Sequence, residues 1–523
     1  MDTPAFKIIN KKCKDAFSLG AEFTCDICDH LCFKRNIRKL YVENYEKDDR
    51  QKELFELVSR GVSDFICNSC HLKLKRCDFP PNSIKNVGLH ETVEVLSSFT
   101  DLEHAFICQI VLFMKITARH KGAQCGLKGQ VVLVPTDITK IQKVLPRSTY
   151  AGHLITVAIK RRLKDLSAYI KQNIRPEKIN AAFIWLKENN TLYKDVEYDE
   201  GWAKALEEED PELWNMVTKE ATDTKDQADE ITDSDTDDDQ LGDDKEQIHK
   251  QGVPRPSVIY SNHGPDISVD DIIEVAPGEG QIPVNSTIEP DFEALAFPKL
   301  FPYGRFHENT DRPKQLRSSL AYFQCRMKGS DPRFACDNRY PFVALDIVEK
   351  EAIHKAVNFS HQKAKNTEIT VGQLRNAEFV KKMISDQEMF SVFKKIRGTP
   401  QYWKDMQLDV LAKVRYFGVY TFWMTWSAAQ FQWNHIIKLV GRITFPRKDY
   451  TDEEVDAMDW STKANILKRH PVLVARQIDY IFETVWNKVV MGGVHPLGQI
   501  LNYDQCAEYQ SLTSVRYCTY RYT

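Results

Sequence analysis

The sequence predicts a multidomain α+β protein: a small Cys-rich zinc module, a mixed α/β middle domain and a larger α+β domain in the C-terminal half. Three observations predict it. Seven cysteines fall within the first 77 residues of a 523-residue chain. Beyond them, apolar runs of strand length are interspersed with segments of helical period. Between Glu220 and Glu246, thirteen acidic residues and two basic ones interrupt that pattern.

Composition narrows the class. A hydrophobic content of 42% belongs to a chain that folds, and the length allows several cores. No apolar run reaches the roughly 18 residues that a membrane helix needs, so no membrane partner is expected. The opening MDTPAFKIINKKCKDAF has no apolar signal region. Thirteen cysteines without such a signal predict a reducing compartment, nucleus or cytosol, where clustered thiols bind metal more often than they form disulfides. The net charge is −3, but the acidic tract alone carries −11, so the remainder carries about +8. A basic remainder is compatible with nucleic-acid contact without establishing it.

The elements follow in order. Residues 1–90 are the Cys-rich module, ending near Pro80-Pro81. In the middle domain (91–218), QIVLFMKI (109–116) is an apolar run, GQVVLVP (129–135) is a strand, and HLITVAIKRRL (153–163) follows. KINAAFIWLKEN (178–189) spaces Ala182, Ile184, Trp185 and Leu186 as a helix does. The tract 222–247 has too few apolar residues to offset its ordering entropy, so residues 219–268 are expected to be an acidic, disordered linker with a loop-rich hinge at 252–266. The last domain (269–523) shows helical stretches at 313–328, 345–358, 371–396 and 401–417. GVYTFWMTWS (418–427) is its clearest strand. In 470–490, Leu473, Ile478, Ile481, Phe482, Val485 and Val489 form one helical stripe.

The strongest local chemistry is CDIC (25–28) with CNSC (67–70). Each two-residue gap lets one tight turn aim two sulfurs at one ion. Cys25, Cys28, Cys67 and Cys70 then make the four thiolates of a closed tetrahedral zinc site, which is structural because no position is left for water. His30, Cys32, His71 and Cys77 lie close enough in sequence to replace one ligand.

The middle region LEHAFICQIVLF, GQVVLVPTD, LPRS, IKRRL and NIRPEKINAAFIWLKENNTLYKD resembles the uncharacterised domain that commonly precedes the helicase-like domain of Helitron transposon proteins. The C-terminal region resembles that Helitron helicase-like N-terminal domain itself, through FPKLFPYGRF (297–306), RGTPQYWKDMQLDVLAKVRYFGVYTFWMTWSAAQFQW (397–433), HPVLVARQIDY (470–480) and GQILNYDQCAEYQ (498–510). The resemblance implies a rolling-circle replication protein: an initiator domain that nicks single-stranded DNA at a His-x-His metal strand using a tyrosine nucleophile, and a separate ATP-dependent helicase.

The sequence departs from that pattern at a decisive place. After AEYQ the resemblance implies Arg-Gly-x-Pro-His-x-His, whereas this chain reads SLTSVRYCTYRYT. None of the fourteen histidines forms a His-x-His pair, and no G-x-x-x-x-G-K-[ST] phosphate loop occurs, so no ATP site is expected. The initiator-like domain is therefore expected to be incomplete, with the reading frame leaving its ancestral course after about Gln510. The expected function is binding of nucleic acid, mainly single-stranded DNA, without nicking or ATPase activity. Two rivals stand beside it: an active transposase and helicase whose gene model is incomplete, and a domesticated module that binds a protein through the acidic linker or middle domain. Among TFWMTWSAAQFQW, most aromatic residues are expected in the core, with Trp426 and Trp433 the candidates to stack on bases. Lys394, Lys395 and Arg397 are candidates for phosphate contact, as is KRR (160–162).

Overall fold

The computed structural model describes residues 20–118 (90 and 98 apart), 125–135, 144–145, 175–198, 201–204, 289–363, 400–421 and 428–492, with scattered positions between 7 and 17 and between 498 and 515. The expected acidic linker, the helix at 371–396, the run HLITVAIKRRL, and the candidates Trp426, Lys394, Lys395 and Arg397 lie outside the described residues. The described chain mixes helices with small two-stranded sheets. Among the described residues no helix is long and apolar enough to cross a membrane.

The Cys-rich segment is built from two antiparallel pairs. Strand β1 (Phe23–Thr24) pairs with β2 (Leu31–Cys32), and β3 (Ile37–Lys39) pairs with β4 (Phe65–Cys67). Between β3 and β4 runs helix α1 (Asp49–Val58), started by the Asp48 carboxylate, which accepts from the Gln51 N–H at 2.6 Å. Helix α2 (Asn68–Lys75) follows β4 directly.

In the middle region, α3 (Asp101–Ile107) opens with a capping box between Thr100 and Glu103. It leads into β5 (Ile110–Ala118), which pairs antiparallel with β6 (Cys125–Pro135) from Ile110↔Pro135 to Ala118↔Cys125, with a register shift between Phe113 and Lys115. Helix α4 (Pro176–Asn189) begins at a proline, whose fixed φ and missing N–H suit a first turn. Its buried face is Ile179, Ala182, Phe183 and Leu186, the i, i+3, i+4, i+7 set. Ile184, which the sequence spacing put on that face, is 49% exposed. Phe183 is the better partner because it meets Tyr198 in a stack at 5.2 Å.

The C-terminal region is helical: α5 (Ser319–Lys328), α6 (Arg333–Cys336), α7 (Tyr340–Lys363), α8 (Pro400–Phe417), α9 (Asn434–Ile443), α10 (Asp452–Ala457), α11 (Trp460–Lys468) and α12 (Pro471–Val485). Helix α5 starts later than its sequence pattern because Ser318 caps it, its hydroxyl accepting from the Ala321 N–H. The described part of the expected strand 418–427 is not a strand. Gly418 sits at φ +89° and donates to the Val414 carbonyl at 2.8 Å, which closes α8. Gly441 is required in α9, since a Cβ there would lie 2.6 Å from the Lys448 carbonyl oxygen. The α12 stripe is buried at Leu473, Ile478, Ile481 and Phe482. A π turn over Trp486–Val490 then shifts the face by one residue, so Val490 is buried where Val489 was expected.

The compact units cut the chain differently from the sequence boundaries. Described residues up to Leu89 and those from Asp311 onward form one unit, and those between form the other. In the first unit, Leu31 and Phe33 of the Cys-rich segment share a core with Ile436, Ile437, Val440, Leu473, Ile478 and Ile481. The second unit gathers Phe99, Phe106, Phe183, Leu186, Tyr193 and Trp202. There the Glu103 carboxylate is buried and held by Arg175 through its backbone N–H (2.9 Å), Nε (2.8 Å) and Nη2 (2.6 Å). Burial would raise this carboxyl, but the Arg175 and Thr100 hydrogen bonds outweigh it and hold it below the usual value.

Two outcomes follow for stability. Arg175→Ala removes the guanidinium from the buried Glu103 carboxylate and leaves it only the backbone N–H groups of Arg175 and Thr100, so thermal and urea unfolding should report a loss of about 1.5–3 kcal/mol in the second unit; an unchanged midpoint would remove that pair from the account. In the first unit, His470 Nδ1 accepts from the Leu473 N–H at 3.3 Å and so caps α12 in its neutral form. Burial, then the charge of Arg476, brings its pKa down to about 4. The unfolded chain takes up this proton below about pH 6.5, whereas the folded one does so only near 4. Stability is therefore full above pH 6.5 and falls toward pH 4 by about 1.4 kcal/mol per unit. His470→Asn keeps an acceptor and removes the titration, so urea unfolding between pH 7 and 4 should show a shallower slope; equal slopes would contradict this role.

Candidate metal centre and the groove beside it

Two tight turns create the centre. In the first, the Asp29 N–H donates to the Cys25 carbonyl at 2.9 Å and the Cys25 N–H to the His30 carbonyl at 3.1 Å. Asp29 takes the left-handed conformation, φ +60°, needed to close so short a loop. The second turn is the passage from β4 into α2. Cys67 is the N-cap of α2, its sulfur accepting from the Cys70 N–H at 3.4 Å. The Cys67 N–H in turn donates to the Cys25 sulfur at 3.2 Å. Both second-turn thiols thus lie at the positive end of a helix, where thiolates are favoured.

The sulfurs of Cys25, Cys28, Cys67 and Cys70 lie within 4.8 Å of one another, and all four residues are buried. The Cys28 and Cys67 sulfurs are 3.8 Å apart. A tetrahedron with metal–sulfur bonds of about 2.3 Å has edges of about 3.8 Å, so this pair already has the required separation. The thiols also compete for protons. Hydrogen bonds from Cys25, Cys28, Cys32 and Cys70 hold Cys67 far below its ordinary value, while bonding to Cys25 and Cys67 pushes Cys28 well up. A divalent cation would resolve that competition by binding all four as thiolates and releasing their protons.

The other residues considered as ligands have different roles. His71 Nδ1 lies 2.6 Å from the Tyr45 hydroxyl, within the core of Ile27, Tyr45, Phe55, Val58, Ile66 and Leu74 that supports both turns. Cys32 is pushed up by its hydrogen bond to Cys67 and lies outside the four-sulfur group. Cys77 and His30 are not in that group either. Asp26 is an anchor the sequence reading passed over. It is fully buried, and accepts from Ser59 Oγ (2.7 Å) and from the backbone N–H groups of Arg60 (3.0 Å), Val62 (2.8 Å) and Ser63 (3.1 Å). Those bonds tie the first turn to the loop that delivers the second.

The cysteine turn is also fastened to the C-terminal helices of its own unit. Phe33 stacks on Tyr480 of α12 at 4.2 Å, and the Arg35 guanidinium lies 4.6 Å from the Tyr480 ring. Arg35 pairs with Glu483 at 2.5 Å, and Arg476 donates to the Leu31 carbonyl at 2.6 Å. His30 bridges to Gly329, and Ser330 donates to the Asp29 carboxylate at 2.7 Å. Between these contacts lies an open groove of about 570 Å³. One wall is the α5 face Ala321, Gln324, Cys325 and Lys328; another is the α12 face Arg476, Asp479, Tyr480 and Glu483. The floor is β2 with the start of α2.

Residues 322–514 match the family described as the Helitron helicase-like domain at the N-terminus. The chain carries a Helitron helicase-like domain. Residues 76–204 match a domain of unknown function, DUF6570. No curated protein and no solved structure matches the chain. The helicase-like domain thus covers α6 to α12 with most of α5, the same helices on which the cysteine turn is seated.

Of the sequence-derived nucleic-acid candidates, Trp433 alone is described. It is half-buried against the first unit's core, with its ring 6.1 Å from His435 and 6.5 Å from Phe482. The groove cations Arg35, Lys328 and Arg476 went unnoticed in the sequence. The available signal was Arg476 breaking the apolar stripe of HPVLVARQIDY. Asp26→Ala tests the build of the centre: three backbone N–H groups lose their acceptor, and the unit should lose about 3 kcal/mol or more. Unfolding monitored by tryptophan fluorescence measures this, and a loss below about 1 kcal/mol would show that the turns are held by other means.

Proposed function

We propose that this chain is a Helitron-derived nucleic-acid-binding protein, that its four-cysteine cluster holds a structural zinc ion, and that its preferred ligand is single-stranded DNA. One observation carries the reading. The cysteine turn and the helices of the helicase-like domain share a single core, so that a metal-held segment presents Arg35 beside Lys328 and Arg476 along one groove. Four thiolate donors suit zinc and leave no open coordination position, so the ion serves folding and not hydrolysis. Guanidinium, ammonium and amide groups along a groove suit a phosphodiester backbone, whose binding releases counterions and weakens with salt. The 523 residues contain no His-x-His pair and no phosphate-cradling loop, which supports binding without strand cleavage or ATP hydrolysis by these residues. Nucleus and cytosol both keep such thiols reduced.

The full chain should bind a labelled single-stranded oligonucleotide with an affinity that falls as salt rises, each neutralised phosphate adding about 0.7 to the log–log slope. Absent or salt-independent binding would sink the reading. Elemental analysis should find one zinc per chain, lost from Cys67→Ser and Cys70→Ser variants. Wild-type protein that folds and carries no zinc would refute the metal. With magnesium or manganese added, the oligonucleotide should stay uncut.

A further inference from the structure

Lys328 and Arg476 face one groove without a carboxylate partner. Among the described residues, the Lys328 ammonium hydrogen-bonds only to the Gln324 amide oxygen, at 3.5 Å. The Arg476 guanidinium donates to the Leu31 carbonyl at 2.6 Å and lies 5.7 Å from the Phe33 ring. Neither forms an ion pair within the described residues. The groove's two acids do not compensate them: Glu483 is bound by Arg35, and Asp479 pairs with neither cation. His30 also lines the groove, with a buried Nε2 that has no hydrogen-bond partner.

Such an arrangement is costly by itself. Burial, then the charge of Arg476, holds Lys328 below its ordinary value, and burial alone does the same to Arg476. Two like charges lining one partly desolvated groove favour an anionic ligand there. The remaining lining agrees. Asn68 and Ser69 at the start of α2, with Asn36, Asn82 and Gln324, add neutral polar groups along the floor and walls.

We propose that the groove between the cysteine turn, α5 and α12 is a phosphodiester subsite, in which Lys328 and Arg476 grip one backbone phosphate of a single-stranded nucleic acid. This rests on the nucleic-acid reading above and gives it a location. Free phosphate would use the same two cations, so the test separates the two sources.

The test uses the full, metal-loaded chain. Anisotropy of a labelled single-stranded oligonucleotide is measured across a salt series for wild type, Lys328→Gln, Arg476→Gln and Lys468→Gln, the last removing an equal charge from exposed α11. Lys328→Gln and Arg476→Gln should each weaken binding about five- to tenfold at low salt and lower the salt slope by up to about 0.7. Lys468→Gln should match wild type. Circular dichroism checks folding, and Lys328, half-exposed, keeps the test valid if Arg476→Gln unfolds. Strong wild-type binding with Lys328→Gln unaltered would overturn the subsite while leaving nucleic-acid binding in place. No oligonucleotide binding by wild type would overturn both. If inorganic phosphate or pyrophosphate raises the melting temperature of wild type but not of Lys328→Gln, and oligonucleotide does not bind, the groove takes a free anion and the strand proposal fails.

Discussion

The meeting of four thiols is the constraint on which the first unit depends. Cys28 and Cys67 are 39 residues apart in sequence and 3.8 Å apart in space, so bringing them together costs loop entropy that local hydrogen bonds cannot offset alone. Ionising all four sulfurs at that spacing is equally unfavourable without a cation. A single divalent ion would address both costs, and its binding energy would then become folding energy. Asp26 and the Tyr45–Phe55 stack, at 5.0 Å, hold the turns in place around it.

What the four-cysteine cluster fixes reaches beyond the turn. Strand β2 ends at Cys32, and the next residue is Phe33, stacked on Tyr480 of α12. Leu31 lends its carbonyl to Arg476 and its side chain to the core of α9 and α12. A cysteine-rich segment that reads as a free-standing module is therefore a structural part of the unit that holds the helicase-like helices. The groove exists because of this union, since neither the turn nor the helices alone would enclose it.

The sequence exposed features whose cause is local. Two Cys-x-x-Cys turns and the apolar period of α12 need only neighbours a few residues away. It also gave the Helitron helicase-like character, because landmarks kept their order along the chain. What it concealed depends on distant partners. Phe183 instead of Ile184 faces the core of α4 because Tyr198 waits there. A π turn after Val485 exchanges Val489 for Val490. The cations of the groove come from residues 35, 328 and 476, which no window of sequence could group. Gly418, a helix stop, looked like a strand start because the aromatic run after it dominated the pattern.

The central claim is that one metal ion at the cysteine turn stabilises the helices of the helicase-like domain through Leu31, Phe33 and Arg476. Hydrogen exchange of the full chain, with metal and after chelation, tests it most directly. The account predicts that removal of the ion speeds exchange across α12 and α9 together with β2 and α2, while the second unit around α4 keeps its protection. Loss of protection confined to residues 20–89, with α12 unchanged, would contradict it.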